Sequence, residues 1–156
     1  MTKTAANVHA LQARAEGDEQ EIRVLLDRIA RAIDSKDLGG VVACYTDDII
    51  AFDLAPPLKA PQDPATLQEW FDTWEGPIKT VETDVHLNVT PTLATVFALR
   101  HIAGTKKSDE KASLWFRSTA VMVKQRGTWK ISHIHNSVPF AMDGTDKALL
   151  NLEPGG

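Results

Sequence analysis

The stretch KQRGTWKISHIHNSVPF, residues 124–140, decides how the C-terminal half of this chain folds. In a β-strand every second side chain lies on the same face of the sheet. One face of this strand would carry Trp129, Ile131, His133, His135, Ser137 and Pro139. That face begins with residues typical of a packed core and continues with groups that bind ligands or transfer protons. The strand therefore predicts a core that opens into a polar site.

The residues before this strand predict the turn and the register of the last hairpin. Gly127 suits the left-handed position of a three-residue loop with a bulge. With that loop Arg117 faces His135, and a polar cluster forms on the core face. Its members are Trp115, Arg117, His133, His135 and Ser137. A two-residue loop would shift every partner by one and move Arg117 to the other face.

The opposite face of the hairpin is apolar. It carries Leu114, Phe116, Ala120, Met122, Ile134 and Val138. Because helices cover only one side of a sheet, a second apolar face predicts burial against another subunit. We therefore expect a homodimer that forms through the outer sheet face.

The N-terminal half of the chain has helical patterns. Residues 1–17 are small and polar and predict a flexible tail. Asp18 and Glu21 resemble a capping box at the start of the first helix. Asp37 is the predicted N-cap of the second helix, and Asp63, which precedes Pro64, that of the third.

The remaining segments alternate as strands. Helices followed by a strand meander predict an α+β domain, with three helices on one face of a mainly antiparallel sheet. The domain would span residues 18–140, and residues 141–156 would form a tail that packs on the domain or on the partner subunit.

The overall composition excludes several classes of protein. The 156 residues fit one domain, with 43% hydrophobic and 24% charged residues. A net charge of −4 argues against nucleic acid or an anionic membrane as a partner. The single cysteine, Cys44, excludes an internal disulfide. Without a secretory signal or an apolar run of about 20 residues, we expect a cytoplasmic protein.

Three segments in this order carry a family resemblance: VVACYTDDIIAFD (41–53), EWFDTWEGPI (69–78) and GTWKISHIHNSVP (127–139). Over residues 18–140 the chain resembles the SnoaL-like and ketosteroid-isomerase-like proteins of the nuclear transport factor two-like superfamily. It is most similar to the ketosteroid isomerase homologue group, whose last strand has a W-x-I-x-H-x-H-x-S-x-P pattern. The resemblance implies a cone: a strongly curved sheet wrapped around three helices, with a pocket at the open end.

The resemblance also implies a role for Asp53, which matches the position of the general base in true ketosteroid isomerases. Those enzymes need a tyrosine on the first helix, and its position falls near Ile29 here. A second acid also has no clear equivalent on the strands, so steroid isomerase activity is not expected. The alternative is that Asp53 caps a loop beside the prolines.

The other candidate residues leave alternatives open. His133 and His135 are either acid/base groups, a pair of metal ligands completed by Asp53 or His101, or members of a buried polar network. No spacing requires the third metal ligand, so a metal is not expected. Arg117 either pairs with Asp53 or binds a substrate carboxylate.

Two neighbouring residues, Arg100 and His101, point to opposite faces of their strand, so only one of them can line the pocket.

The family supports two kinds of function, and its fold does not decide between them. The first is a cofactor-free acid/base enzyme of the isomerase, dehydratase or cyclase type that acts on a small organic molecule. The second is a non-enzymatic module that binds a ligand or assembles as a dimer. The predicted catalytic residues are Asp53, His135 and Arg117. The predicted substrate-binding residues are Trp115, Trp70, Trp74, His133, Ser137 and Phe140.

Overall fold

A computed structural model describes residues 2–61 and 63–155, with side chains described from residue 13 onward. These residues form three helices and five strands, and the fold is α+β as predicted. The helices are α1 (Thr2–Asp34), α2 (Leu38–Val42) and α3 (Pro64–Asp72). The strands are β1 (Tyr45–Phe52), β2 (Trp74–Val89), β3 (Leu93–Lys106), β4 (Lys111–Gln125) and β5 (Thr128–Ser137). No helix within the described residues is long and apolar enough to span a membrane.

The first helix is longer than predicted. It begins at Thr2, so the predicted helix start at Asp18 is wrong, and the backbone of residues 2–17 is helical. That segment is rich in alanine and contains no proline, and the one glycine, Gly17, costs only about 1 kcal/mol within a helix. Residues 13–17 are exposed on every side, so this part of α1 does not pack on the domain.

Asp18 is buried instead of capping a helix. Only 3% of the residue is exposed, and its carboxylate accepts hydrogen bonds from Lys124 Nζ and from Trp129 Nε1 at 3.2 Å. Glu21 also pairs with Lys124, at 3.0 Å. The acidic residues that suggested a cap therefore tie α1 to the last hairpin.

The two shorter helices begin as predicted. The Asp37 side chain accepts a hydrogen bond from the Gly40 N–H at 2.9 Å, and the Asp63 side chain accepts one from Ala65 N–H at 2.9 Å. The third helix ends at Asp72, with Thr73 as its C-cap, because the chain enters β2 at Trp74.

The five strands form one curved sheet in the order β1-β5-β4-β3-β2. All neighbouring pairs are antiparallel except β1 and β5, which run parallel. Helix α1 packs on one side of this sheet, here called the inner face. The core between them includes Ile22, Leu25, Ile29, Val96, Ala120, Met122, Ile131 and Ile134, all less than 9% exposed.

The predicted three-residue turn of the last hairpin is wrong. Gln125 pairs with Thr128, so the loop has two residues, Arg126 and Gly127, and both have positive φ angles, 51° and 81°. Such a turn suits the right-handed twist of a hairpin. Pairing then continues to Ile131 opposite Met122.

A β-bulge at Ser132 then changes the register. His133 pairs with Val121, two residues after Ile131 paired with Met122, so Ser132 is the extra residue. A bulge reverses the side-chain alternation beyond it. Trp129 and Ile131 therefore face the core, whereas His133 and His135 face the opposite side of the sheet.

Relative to the prediction, the two-residue turn reverses the faces of β4, and the bulge reverses the faces of β5 beyond Ser132. The residues Phe116, Ala120, Met122 and Ile134, predicted to contact a second subunit, are buried on the inner face. The residues Trp115, Arg117, His133, His135 and Ser137, predicted to line a pocket, lie on the other side of the sheet, here called the outer face.

Candidate functional site

Polar residues replace the apolar core toward one end of the inner face. The inner-face pair Ala120 and Ile134 is followed by Ser118 opposite Asn136. On the neighbouring strand Arg100 lies opposite Phe116. Ser118 is 6% exposed and Phe116 7%, so these groups lie inside the fold.

Asp53 reaches this polar region from β1. Ala51 pairs with Ile134 in the parallel register, so Asp53 lies next to Asn136 on the inner face. Asn136 Nδ2 donates to Asp53 Oδ1 at 3.1 Å, and the Leu54 N–H donates to the same oxygen at 2.7 Å. Asp53 is exposed, which places the pair at the open end of the sheet.

Asn136 leaves one polar atom unsatisfied. Its Oδ1 is buried and has no hydrogen-bond partner among the described residues. Buried polar atoms in folded proteins are almost always hydrogen-bonded, so an unpaired one inside a candidate site indicates where a ligand can bind.

An ion pair lies on the same face, two strands away. Arg100 and Glu82 are opposite each other on β3 and β2, and both Nε and Nη2 of Arg100 donate to Glu82 Oε1. The two side chains are 18% and 20% exposed. Of the two alternatives in sequence, Arg100 therefore faces inward, and His101 faces outward.

Tyr45, at the start of β1, lies opposite Ile131 and packs against the core on the inner face. Burial raises the pKa of the Tyr45 phenol well above its usual range, and it is the largest cause of the shift. The Arg100 charge lowers this pKa and the Asp53 charge raises it. A phenol is neutral near pH 7 even at its ordinary pKa of 10.0, so Tyr45 can donate a hydrogen bond there.

The predicted catalytic residues are divided between the two faces of the sheet. Asp53 lies on the inner face, whereas His135 and Arg117 lie on the outer face. The bulge at Ser132 turns His135 outward, and the two-residue turn, which pairs Lys124 with Trp129, turns Arg117 outward. The prediction that these three groups act together is wrong for this geometry. His135 contacts Phe52 with ring centroids 5.9 Å apart, and Arg117 is exposed.

The other predicted residues on the outer face have contacts of their own. His133 contacts Phe52 with ring centroids 5.1 Å apart, and its Nδ1 lies 2.8 Å from the Ile50 carbonyl oxygen. The Trp115 ring stacks on the His101 ring, with ring centroids 4.8 Å apart. Ser137 is half-buried opposite Arg117. None of these contacts reaches Asp53.

The aromatic residues predicted to shape the pocket occupy three different environments. Trp74 is 1% exposed and belongs to the core, so it is not available to a ligand. Trp70 is half-buried and contacts the Trp74 ring at 5.7 Å. Phe140 is 61% exposed and follows β5 beyond the open end of the sheet.

Three inner-face residues were not predicted from the sequence: Asn136, Glu82 and Tyr45. Asn136 was missed because the assumed alternation put it on the outer face. One signal of the bulge was in the sequence: after Trp129 and Ile131, the next apolar residue is Ile134, and an extra residue between them returns Ile134 to the core face.

Two open grooves flank α1, away from Asp53. One has a volume of about 320 Å³ and is lined by Glu82, Thr80 and Val85 of β2 with residues of α1. The other has a volume of about 370 Å³ and lies between α1 and Trp129. Within the described part of the chain, no three histidine, cysteine, aspartate or glutamate side chains converge in a way that could hold a metal ion.

Comparison with known proteins gives a family match. A family model described as a SnoaL-like domain matches residues 22–141. An NTF2-like protein of unknown function from Pseudomonas putida is 30% identical, with a TM-score of 0.79, and the alignment covers 89% of this chain and 98% of that one. A search of curated proteins found no significant match.

More distant solved structures share the fold. A candidate scytalone dehydratase from Novosphingobium aromaticivorans is 16% identical, with a TM-score of 0.74, and the alignment covers 89% of this chain and 95% of that one. The association domain of C. elegans CaMKII is also 16% identical, with a TM-score of 0.65, and the alignment covers 79% of this chain and 97% of that one.

Proposed function

This chain belongs to the SnoaL-like domain family, and from that premise we propose that it binds a small organic molecule at the open end of the inner face, with Asp53 as the reactive group. One observation carries the proposal: Asp53, Asn136, Arg100 and Tyr45 share the inner face of a sheet whose interior is otherwise apolar. Burying polar groups such as those of Asn136 and Arg100 beside an apolar core is costly, and a binding site explains their presence.

The site supports acid/base chemistry that needs no cofactor. Asp53 Oδ1 is held by Asn136 and by the Leu54 N–H, whereas Oδ2 accepts no hydrogen bond from the described residues. Asp53 Oδ2 would take a proton from the ligand, as a general base. The neutral phenol of Tyr45 would donate a hydrogen bond to an oxygen that gains negative charge.

The reaction class that fits best is an isomerisation or a dehydration, in which a base removes a proton and a donor stabilises an oxygen. Two structural neighbours are described as dehydratase candidates, from Novosphingobium aromaticivorans and from Streptomyces avermitilis. This agrees with the proposal, although their identity to this chain, 16% and 18%, supports only the fold.

A test of the proposal compares the inner and outer faces. Wild type is screened by thermal shift against small carbonyl compounds and alcohols, and each hit is measured by calorimetry with Asp53→Asn and with His135→Ala. We expect Asp53→Asn to lose turnover or at least tenfold in affinity, about 1.4 kcal/mol. His135→Ala should bind as wild type does. Equal binding by Asp53→Asn and wild type would contradict the proposal.

A second candidate function, assembly, has its own observation on the outer face. The outer face exposes five large apolar side chains, Ile50, Phe52, Val81, Leu93 and Phe97, which are 39–52% exposed. Aromatic residues with an arginine, here Arg117, are typical of interface cores. We propose that the chain forms a homodimer through this face. Two neighbours are described as CaMKII association domains, which agrees with an assembly role.

The dimer is tested by analytical ultracentrifugation. Phe97→Asp places a charge on the outer face and should convert a wild-type dimer to a folded monomer. Val24→Asp, at an apolar position on α1 that is 54% exposed against 43% for Phe97, is the matched control and should stay dimeric. A monomeric wild type would exclude the dimer and leave the inner site unaffected.

A further inference from the structure

The orientation of the Asn136 amide determines what this site offers to a ligand. Its Nδ2 donates to the Asp53 carboxylate. Turning the amide over would place its oxygen against a carboxylate oxygen, and two acceptors repel. Asp53 therefore holds Asn136 Oδ1 in its buried position, where it has no partner among the described residues. A ligand must bring a hydrogen-bond donor to this point.

The charges near this point disfavour an anion. Asp53 contributes one negative charge, and the Glu82 carboxylate neutralises Arg100. Tyr45 carries no charge near pH 7, because its pKa is not below the ordinary 10.0 of a phenol. Arg117, the cation that would have bound a carboxylate, lies on the outer face. The remaining net negative charge would repel a carboxylate or a phosphate in this half-buried region.

The chain segments that leave the sheet beyond Asp53 and Asn136 carry exposed apolar side chains. Because β1 and β5 are parallel neighbours, the segments that follow them leave the sheet at the same end. Those two segments carry large side chains that are 42–98% exposed: Leu58, Phe140, Met142, Leu150 and Leu152. Apolar surface of this kind fits the carbon body of a ligand whose polar end reaches Asn136.

We propose that the ligand is an uncharged molecule with an apolar body and a hydroxyl group, which donates to Asn136 Oδ1 beside Asp53. This inference rests on the proposed function and adds the class of substrate. Carboxylates and phosphates of the same size bind more weakly, because the site offers two acceptors and a net negative charge.

The test uses compounds that differ only in this group. The first series is 2-naphthol, 2-methoxynaphthalene and 2-naphthoate, and the second is cyclohexanol, methoxycyclohexane and cyclohexanecarboxylate. Binding is followed at neutral pH in ¹H–¹⁵N spectra through the side-chain NH₂ signals of Asn136, which are assigned by their loss in Asn136→Leu. Ser137→Ala, on the outer face, is the control.

We expect the alcohol of at least one series to shift the Asn136 signals and to bind about tenfold tighter than its ether and its carboxylate. Asn136→Leu should abolish the preference for alcohol over ether, and Asp53→Asn should reduce the discrimination against the carboxylate. If Asn136→Leu does not fold, the inference is tested by the ratio of the affinities of wild type for the alcohol and for its ether.

Two other results would overturn the inference and are distinguishable. A carboxylate that shifts the Asn136 signals and binds as tightly as the alcohol would refute the ligand class and leave the site standing. If no compound of either series shifts these signals, both the ligand class and the proposed function are wrong.

Discussion

Replacing Asp18 with alanine tests the contact that joins α1 to the last hairpin. The Asp18 carboxylate is 3% exposed and accepts from Lys124 and from the Trp129 indole. Trp129 is itself 3% exposed, so in Asp18→Ala its N–H loses its acceptor within the core. An unpaired buried donor and a lost charge-assisted hydrogen bond together cost about 2–3 kcal/mol.

The matched variants separate the causes of this loss. Asp18→Asn keeps an oxygen for Trp129 and removes only the charge, so it should lose about half as much stability. Glu21, the other partner of Lys124, has a side chain that is 55% exposed. Glu21→Gln should therefore lower the free energy of unfolding by only about 0–0.5 kcal/mol. All three are measured by urea denaturation, followed by tryptophan fluorescence and circular dichroism.

The pH dependence gives an independent check. The hydrogen bond from Lys124 is the main reason that the pKa of Asp18 lies below its usual 3.8. A carboxyl group whose pKa is lowered in the folded state stabilises the fold at pH values above its ordinary pKa of 3.8. This stabilisation is lost as the pH falls through the lowered pKa of the folded state. The difference in the free energy of unfolding between wild type and Asp18→Asn should therefore be constant down to about pH 4 and then shrink. A Glu21→Gln variant as unstable as Asp18→Ala, or a difference that grows on acidification, would refute this account.

Three further predictions concern stability and use the same urea assay. Gly104→Ala should cost about 1–3 kcal/mol, because the added Cβ would lie 3.0 Å from the buried Trp74 ring and 3.2 Å from the Pro77 carbonyl oxygen. Gly17→Ala is its control, since nothing lies within 4 Å, and it should stabilise α1 by about 0.5–1 kcal/mol. Arg126→Asn should stabilise the last hairpin by about 0.5 kcal/mol, because asparagine tolerates the φ of 51° better than arginine does; no gain would indicate a different turn. Asp37→Ala should cost about 1 kcal/mol through loss of the α2 cap, and a neutral result would mean that α2 is held by its packing alone.

The sequence was sufficient to predict the types of the secondary-structure elements and to place the helices in the N-terminal half of the chain. Asp37 and Asp63 were recognised as caps because capping depends on local hydrogen bonds. The start of α1 was missed because the acidic residues Asp18 and Glu21 fit a cap as well as they fit a distant lysine. Lys124 lies 106 residues away from Asp18, and no local pattern reports such a contact.

The candidate site was predicted less well than the fold, for a geometric reason. Alternation assigns faces only as long as a strand has no extra residue. Asp53 lies just beyond the end of its strand, as predicted, because that position depends only on where β1 ends. His133 and His135 were assigned to the wrong face because the assignment was carried past Ser132 from Trp129. Arg100 could not be assigned at all without the register of β3.

The bulge at Ser132 links the shape of the fold to its chemistry. The pairing of β5 with β1 is irregular at the same level, since Tyr45 pairs with Ile131 but Ile50 pairs with His133. Bulges bend a strand and increase its twist, so paired irregularities on neighbouring strands curve the sheet at this point. The same extra residue exchanges the faces, which turns two histidines outward and Asn136 inward. One residue therefore both bends the sheet around its helices and selects an uncharged amide, rather than a titrating imidazole, as the neighbour of Asp53.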